Sequence, residues 1–287
     1  MNVFYVISNE QKDPGQETAK YIRKYLSDRG RTCYLRGRGG KTARGQYHYT
    51  DAKRIPEDVE CVLVLGGDGT LLHAARDLVG RRLPLLGVNM GTLGYLAEVD
   101  RKNLPEVLDG LIADEYVIEE RMMLSGAAWH QDRVLMSDMA LNDIVITRNG
   151  RMRVVDFNIY VDGTFLYSYA ADGIIVSTPT GSTGYSLSVG GPIISPASSM
   201  LLLTAIAPHT MNARPIVLPP DVEVVVEIGS GHEEDATDGA EATFDGDTSV
   251  KLNAGDRISI TRAGKRTQLI KTKNTSFLEL LREKMNK

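Results

Sequence analysis

The sequence predicts an N-terminal doubly wound α/β domain, an all-β second domain and a closing helix. Three observations carry this. In the first hundred residues, short apolar runs alternate with segments whose apolar residues recur at helical spacing, the pattern of a parallel sheet with crossover helices. From about Tyr116 the texture changes to alternating apolar and polar residues broken by turn signals, the pattern of antiparallel strands. Near the end, Ser276-Phe277-Leu278-Glu279 forms a capping box ahead of Leu280-Leu281, which opens a short helix. The expected bounds are 1–100 for the α/β domain, 101–270 for the β-rich domain and 271–287 for a helix packing back on the first domain.

Composition sets outer limits. A chain of 287 residues suits one large or two ordinary domains. With 42% hydrophobic and 24% charged residues it reads as an ordinary globular protein. A net charge of -4 argues against a general nucleic-acid surface. No apolar run approaches the length of a membrane span, and the start Met1-Asn2-Val3-Phe4-Tyr5 lacks a basic leader. The expectation is a cytoplasmic protein with no membrane partner. Cys33 and Cys61, the only two cysteines, both fall in apolar runs and read as reduced core residues.

In chain order, Val3 to Ile7 is a short buried strand. Asp13-Pro14 can start a helix, with Ala19, Ile22 and Leu26 on its apolar face and Gly30 placed to end it. Thr32 to Leu35 reads as a second strand, Cys61 to Leu65 as a third and Pro84 to Val88 as a fourth. Between the second and third lies a basic stretch with Arg36, Arg38, Lys41 and Arg44. It reads as a solvated loop or as a collector of a polyphosphate donor. Its Gly40-Lys41-Thr42 resembles the tail of a P-loop, but Leu35 stands where that motif needs its first glycine, so a P-loop is rejected. Leu104, Val107, Leu108 and Leu111 mark a further, weaker helix between Arg101 and Ile112. In the second half, Val155, Phe157, Ile159 and Val161 lead to an Asp162-Gly163 hairpin turn, and Val222 to Ile228 and Ile258 to Ile260 alternate likewise.

The chemistry centres on Gly66-Gly67-Asp68-Gly69-Thr70, after the third strand and before a helical pattern at Leu72, Ala75 and Leu78. Strand, glycine turn and helix N-terminus together favour a phosphate. Asp68 would repel one, a conflict that resolves if it faces a hydroxyl or a Mg²⁺ ion; the alternative is a tight turn with a helix-capping Asp. Asn89 to Leu96, with Gly91 and Gly94, suggests a second backbone turn beside the first. In the β-rich half, Asn142-Asp143 is either a turn or a pair that reads a ribose or adenine edge. Asp172 to Ser188 runs from a buried strand into the hydroxyl-rich Thr178-Pro179-Thr180-Gly181-Ser182-Thr183-Gly184-Tyr185, suited to a nucleotide, with Tyr185 able to stack on a ring. Phe244-Asp245-Gly246-Asp247 reads as a hairpin turn. The five histidines, at 48, 73, 130, 209 and 232, form no metal-ligand spacing, so no protein metal site is expected.

These stretches, in this order, resemble the NAD kinases, and the resemblance extends through Ala207-Pro208-His209 and Arg214-Pro215-Ile216-Val217 over most of the chain. It implies that the β-rich domain is sandwich-like and that the chain transfers the γ-phosphoryl of ATP, or of polyphosphate, to the adenosine ribose 2′-hydroxyl of NAD. Asp68 would be the catalytic base. Gly69, His73, Asn142, Asp143, Arg153, Asp172, Thr180, Thr183, Gly184, Tyr185, Ser186, Leu187, Ser188 and Asp247 would bind substrate. Mg²⁺ would arrive with the nucleotide, and the assembly would be a homodimer or homotetramer. Three positions depart from the family pattern: Gly184 for Ala, Ala170 for a basic residue and Tyr95 for Phe. The rival readings are a lipid kinase of the diacylglycerol type, which needs a membrane-facing surface that the sequence does not show, and a non-catalytic dinucleotide sensor, which has no use for a carboxylate beside phosphates.

Overall fold

A computed structural model describes residues 1–35, 50–91, 94–97, 99–149, 154–229, 239–272 and 276–286. The basic stretch 36–49 and Arg153 lie outside the described residues. The chain forms two compact units, residues 1–121 with 266–287, and residues 122–265.

In the first unit, β1 (Val3–Ser8), β2 (Thr32–Leu35), β3 (Cys61–Gly66), β4 (Leu85–Asn89) and β5 (Val99–Asp100) are interleaved with α1 (Glu17–Ser27), α2 (Asp68–Leu78) and α3 (Leu104–Ile112). The strands are parallel, in the order β2-β1-β3-β4, with β5 joining β4. This is the predicted doubly wound sheet, and β3 is buried along its whole length, as a strand covered on both faces must be. Helix α1 starts at Glu17 instead of Pro14, because Gly15 and Gln16 take left-handed φ values of 67° and 57° and break the turn between them. Asp13 still serves the helix, its carboxylate accepting the Thr18 and Ala19 N–H groups at 2.9 and 3.1 Å. Ala19, Ile22 and Leu26 pack inward with Leu104, Val107, Leu108 and Leu111 of α3.

The remaining strands are β6 (Val117–His130), β7 (Arg133–Ala140), β8 (Asp143–Arg148), β9 (Val155–Val161), β10 (Thr164–Ala171), β11 (Gly173–Ser177), β12 (Leu201–Ile206), β13 (Ile216–Leu218), β14 (Val224–Ile228), β15 (Ala240–Phe244), β16 (Thr248–Leu252) and β17 (Arg257–Lys271), with the one-turn helix α4 (Tyr185–Ser188) after β11. In the second unit the order β13-β12-β11-β8-β15-β16 forms one antiparallel sheet, and β10-β9-β14-β17 runs antiparallel in another. Inward residues of both, Ile144, Ile146, Val176 and Phe244 from one and Phe157, Ile159, Val226 and Ile260 from the other, share one core. That is a β-sandwich. Strand alternation decides it, since every second side chain faces the opposite sheet.

The chain ends in α5 (Phe277–Met285), part of the first unit, whose N-terminus carries the predicted capping box between Ser276 and Glu279. Leu280 is buried, and Lys284 Nζ lies 4.7 Å from the centre of the Tyr95 ring.

Candidate functional site

The first unit places Asp68 at the start of α2, directly after the carboxyl end of β3. Ligands bind at that end of an open parallel sheet. The carboxylate is held by three successive backbone N–H groups. Tyr95 N–H donates to Oδ2 at 2.7 Å, and the Leu96 and Ala97 N–H groups donate to Oδ1 at 3.1 and 3.0 Å. A carboxylate has about four acceptor positions, so among the described residues one remains, on Oδ2. Two of these donors, Tyr95 and Leu96, belong to the glycine-containing stretch 89–96 singled out in the sequence, and Ala97 follows it. Gly94 makes the approach possible, since a Cβ there would stand 1.8 Å from Asp68 Oδ1.

The segment after β1 flanks the same turn. Asn9 N–H donates to the Leu65 carbonyl at 2.9 Å, and Asn9 Nδ2 to Thr70 Oγ1 at 3.3 Å. Lys12 Nζ lies 2.7 Å from where a Cβ on Gly67 would be. A cation at the positive end of a helix gains nothing from the helix dipole; an anion bound there would gain from both. Gly69 and His73, four residues apart on α2, share one helix face.

The second unit gathers Asn142, Asp143, Gly181 and Gly184. Thr178 locks residues 141–142 against the hydroxyl-rich turn: its Oγ1 donates to the Leu141 carbonyl at 2.7 Å and accepts Gly181 N–H at 3.1 Å, while its own N–H donates to the Asn142 carbonyl at 2.8 Å. Gly181 sits where a Cβ would strike Asn142 O at 2.1 Å. From the other side, Asp245 accepts the N–H groups of Leu141, Asn142 and Asp143. Asn142 Oδ1 is buried and has no partner among the described residues, an expense expected only where something else satisfies it. Burial, reinforced by the neighbouring Asp245 charge, pushes the Asp143 carboxyl up to about 7.

Residues 4–116 match the family model of the ATP-NAD kinase N-terminal domain, and residues 141–272 that of the ATP-NAD kinase C-terminal domain. The chain belongs to the NAD kinase family. An NAD kinase of Lachnospira eligens is 43% identical over 293 residues, which cover 99% of this chain and 100% of that one. One of Agathobacter rectalis is 44% identical over 285 residues, covering 99% of each. Among solved structures, yeast NADH kinase complexed with NADH aligns with a TM-score of 0.83 at 22% identity, covering 100% of this chain and 88% of that one. An NAD kinase from Archaeoglobus fulgidus in complex with ATP aligns at 0.77 and 24% identity, covering 99% and 98%. These two likenesses establish that the fold is shared.

Within this NAD kinase framework the expected binding residues differ in their surroundings. Ser186 is fully buried, its Oγ 3.2 Å from Thr204 Oγ1, so its hydroxyl builds the turn. Ser182 is equally buried; its Oγ donates to Pro179 O and accepts Ile194 N–H. Thr183 Oγ1 donates to the Thr180 carbonyl at 3.2 Å, and Thr180 itself is buried. Tyr185, Leu187 and Ser188 of α4 are exposed, with Tyr185 at 43%. Asp172 accepts Arg148 Nε at 2.7 Å and lies in a different part of the unit's hydrogen-bonding network from Asn142. Asp247 is exposed at the β15–β16 turn, its N–H donating to the Phe244 carbonyl. At Gly184, the Cβ that an Ala would carry would reach 3.6 Å from Asn142 Nδ2 and 3.7 Å from Asp143 Oδ2. Glycine therefore opens space beside that pair.

Sequence reasoning missed Thr178 as the lock, Asp245 as an acceptor and the Tyr95–Ala97 amides as donors. Thr178 opens a run already singled out, but the backbone donors carry no side-chain signal, and an Asp-Gly pair is fully explained as a turn.

The Asp143 shift sets a pH prediction. With its folded value near 7 and an unfolded value near 3.9, the folded state holds an extra proton between those limits. Stability therefore declines as pH rises from about 4 to about 7 and is level above. Asp143→Asn cannot ionise and escapes the penalty. Its melting temperature relative to the parent should rise between pH 5 and pH 8, by about 2–4 °C per kcal/mol recovered. A Tm difference that is the same at both pH values would show that Asp143 is ionised throughout.

Proposed function

We propose that the chain transfers the γ-phosphoryl of ATP to the adenosine ribose 2′-hydroxyl of NAD, with Asp68 as general base. The observation that carries this is the one remaining acceptor position on Asp68 Oδ2, on a carboxylate otherwise fixed by three backbone amides. A fixed acceptor suits a hydroxyl that must lose its proton as it attacks. The new bond joins the ribose O2′ to the γ-phosphorus, the bond from that phosphorus to the β–γ bridging oxygen breaks, ADP leaves, and the hydroxyl proton passes to Oδ2. The N-terminus of α2 and the Lys12 ammonium favour the donor's phosphates. Asn142 and Asp143 hold the nucleoside, with Arg153, Asp172, Thr180, Thr183, Gly184, Tyr185, Leu187, Ser188 and Asp247 completing the substrate contacts.

Among the described residues no three His, Cys, Asp or Glu side chains form a metal cage. The divalent ion is read as part of the donor substrate, magnesium-bound ATP or polyphosphate. In the second unit the edge strand β10 exposes Phe165, Leu166 and Tyr167, which supports a homodimer or homotetramer; a mass of 31.5 kDa by light scattering would exclude both.

The test of the activity is direct. The protein with Mg²⁺, ATP and NAD should yield NADP, while diacylglycerol in place of NAD should yield no phospholipid. Phosphorylated lipid, or NAD recovered unchanged, would overturn the reading.

A further inference from the structure

We infer that Asp245 is a positioning residue for the dinucleotide: by accepting three consecutive backbone N–H groups, its carboxylate fixes the direction in which Asn142 and Asp143 present their side chains. This rests on the reading that those two residues hold the nucleoside.

The geometry is unusually complete for a residue in a turn. Asp245 Oδ2 accepts Leu141 N–H at 2.8 Å, and Oδ1 accepts the N–H groups of Asn142 and Asp143 at 2.8 and 3.1 Å. Its own N–H donates to the Asp143 carbonyl at 3.0 Å. The carbonyls of Leu141 and Asn142 are meanwhile held by Thr178. The N–H groups of residues 141 to 143 are thus held by one carboxylate, the carbonyls of Leu141 and Asn142 by one threonine and the carbonyl of Asp143 by the Asp245 N–H. That leaves the side chains as the free variables, and the Asn142 amide oxygen among them has no partner among the described residues.

The β15–β16 hairpin does not need this carboxylate. Asp245 and Gly246 take φ values of 50° and 68°, the geometry of a two-residue turn that Asn-Gly fills at least as well as Asp-Gly. Its charge also opposes the ionisation of its buried neighbour Asp143. A residue unnecessary to its turn and unfavourable to its neighbour is explained by what it holds. Burial, with the Asp245 charge adding to it, raises the proton affinity of Asp143.

Asp245→Asn is the informative variant, because it retains the turn and removes acceptor capacity. Steady-state kinetics with each substrate varied should show the KM for NAD rising about tenfold or more and the KM for ATP changing less than about twofold. The pH midpoint of the NAD KM, near 7 in the parent if Asp143 sets it, should move lower once the Asp245 charge is gone. Asp245→Ala should show a larger NAD effect if it folds; circular dichroism and thermal melting separate folding loss from binding loss. Asn142→Ala is run in parallel. If Asn142→Ala raises the NAD KM while Asp245→Asn leaves it within about twofold with an unmoved pH midpoint, the positioning role is wrong and the subsite reading stands. If Asn142→Ala leaves the NAD KM unchanged, the subsite reading fails and this inference with it. A lowered melting temperature with unaltered NAD kinetics, or equal rises in both KM values, reduces Asp245 to a structural turn residue and overturns the proposal.

Discussion

Asp68→Asn is expected to lower kcat by roughly 10²–10⁴-fold, the range that a general base contributes. An amide has the size of the carboxylate but cannot take the ribose proton. The sequence alone suggests an innocent substitution otherwise, since asparagine tolerates a glycine-rich turn. The structure predicts a second effect. Asp68 accepts hydrogen bonds from Tyr95, Leu96 and Ala97, and an asparagine has only one oxygen. Its best compromise keeps that oxygen on Leu96 and Ala97 and turns its NH₂ against the Tyr95 N–H, donor facing donor. One unsatisfied backbone donor costs roughly 1–3 kcal/mol. The variant should therefore be both slower and less stable. Saturating kinetics and a thermal melt measure the two losses separately. If kcat stays above about a tenth of the parent value, a barrier change below about 1.4 kcal/mol, Asp68 is not the base, whatever the melt shows.

Gly94→Ala should produce a comparable loss without touching the acid. Its Cβ would stand 1.8 Å from Asp68 Oδ1 and 2.4 Å from its Cγ, far inside contact distance. A long flexible side chain could swing away from such a clash. The Asp68 carboxylate is short, rooted at the first residue of α2 and tied by three amides, so relief requires breaking those bonds or displacing the loop. A displacement of about 1 Å in a catalytic group is enough to cost on the order of 10²-fold. The expected kcat loss is at least that size, with a native circular dichroism spectrum. Because both substitutions act on one carboxylate, the double variant with Asp68→Asn should be far less impaired than the product of the two single effects. Parent-like turnover in Gly94→Ala, or full multiplicativity in the double variant, would show that Gly94 does not act through Asp68.

Much of this architecture was legible in the sequence. The strands of the first unit are short, apolar and separated by helical patterns, and a strand buried on both faces leaves a run such as Cys61 to Leu65 that needs no partner to be recognised. The capping box at Ser276 is a local device and was readable for the same reason. Strand alternation at Val155 to Val161 and the Asp162-Gly163 turn specified a hairpin. Where local rules compete, the reading slipped: Pro14 signals a helix start, but the left-handed backbone at Gly15 and Gln16 delays it to Glu17.

The sequence by itself singled out the candidates for chemistry: an aspartate in a glycine turn, an adjacent asparagine and aspartate, a run of hydroxyls. Those are side-chain identities at short spacing, set by residues that are neighbours in the chain. Only the tertiary structure decided what each one does with its hydrogen bonds. Asp68 meets amides 27 to 29 residues away, and Asp245 meets amides more than 100 residues before it. Ser182 and Ser186, hydroxyls that looked ready for a ligand, spend themselves inside the protein. A backbone N–H is the same group at nearly every position, so no sequence pattern marks the one that a distant carboxylate will find; folding chooses it, because a buried donor must be paired and the nearest acceptor of the right reach is fixed by packing.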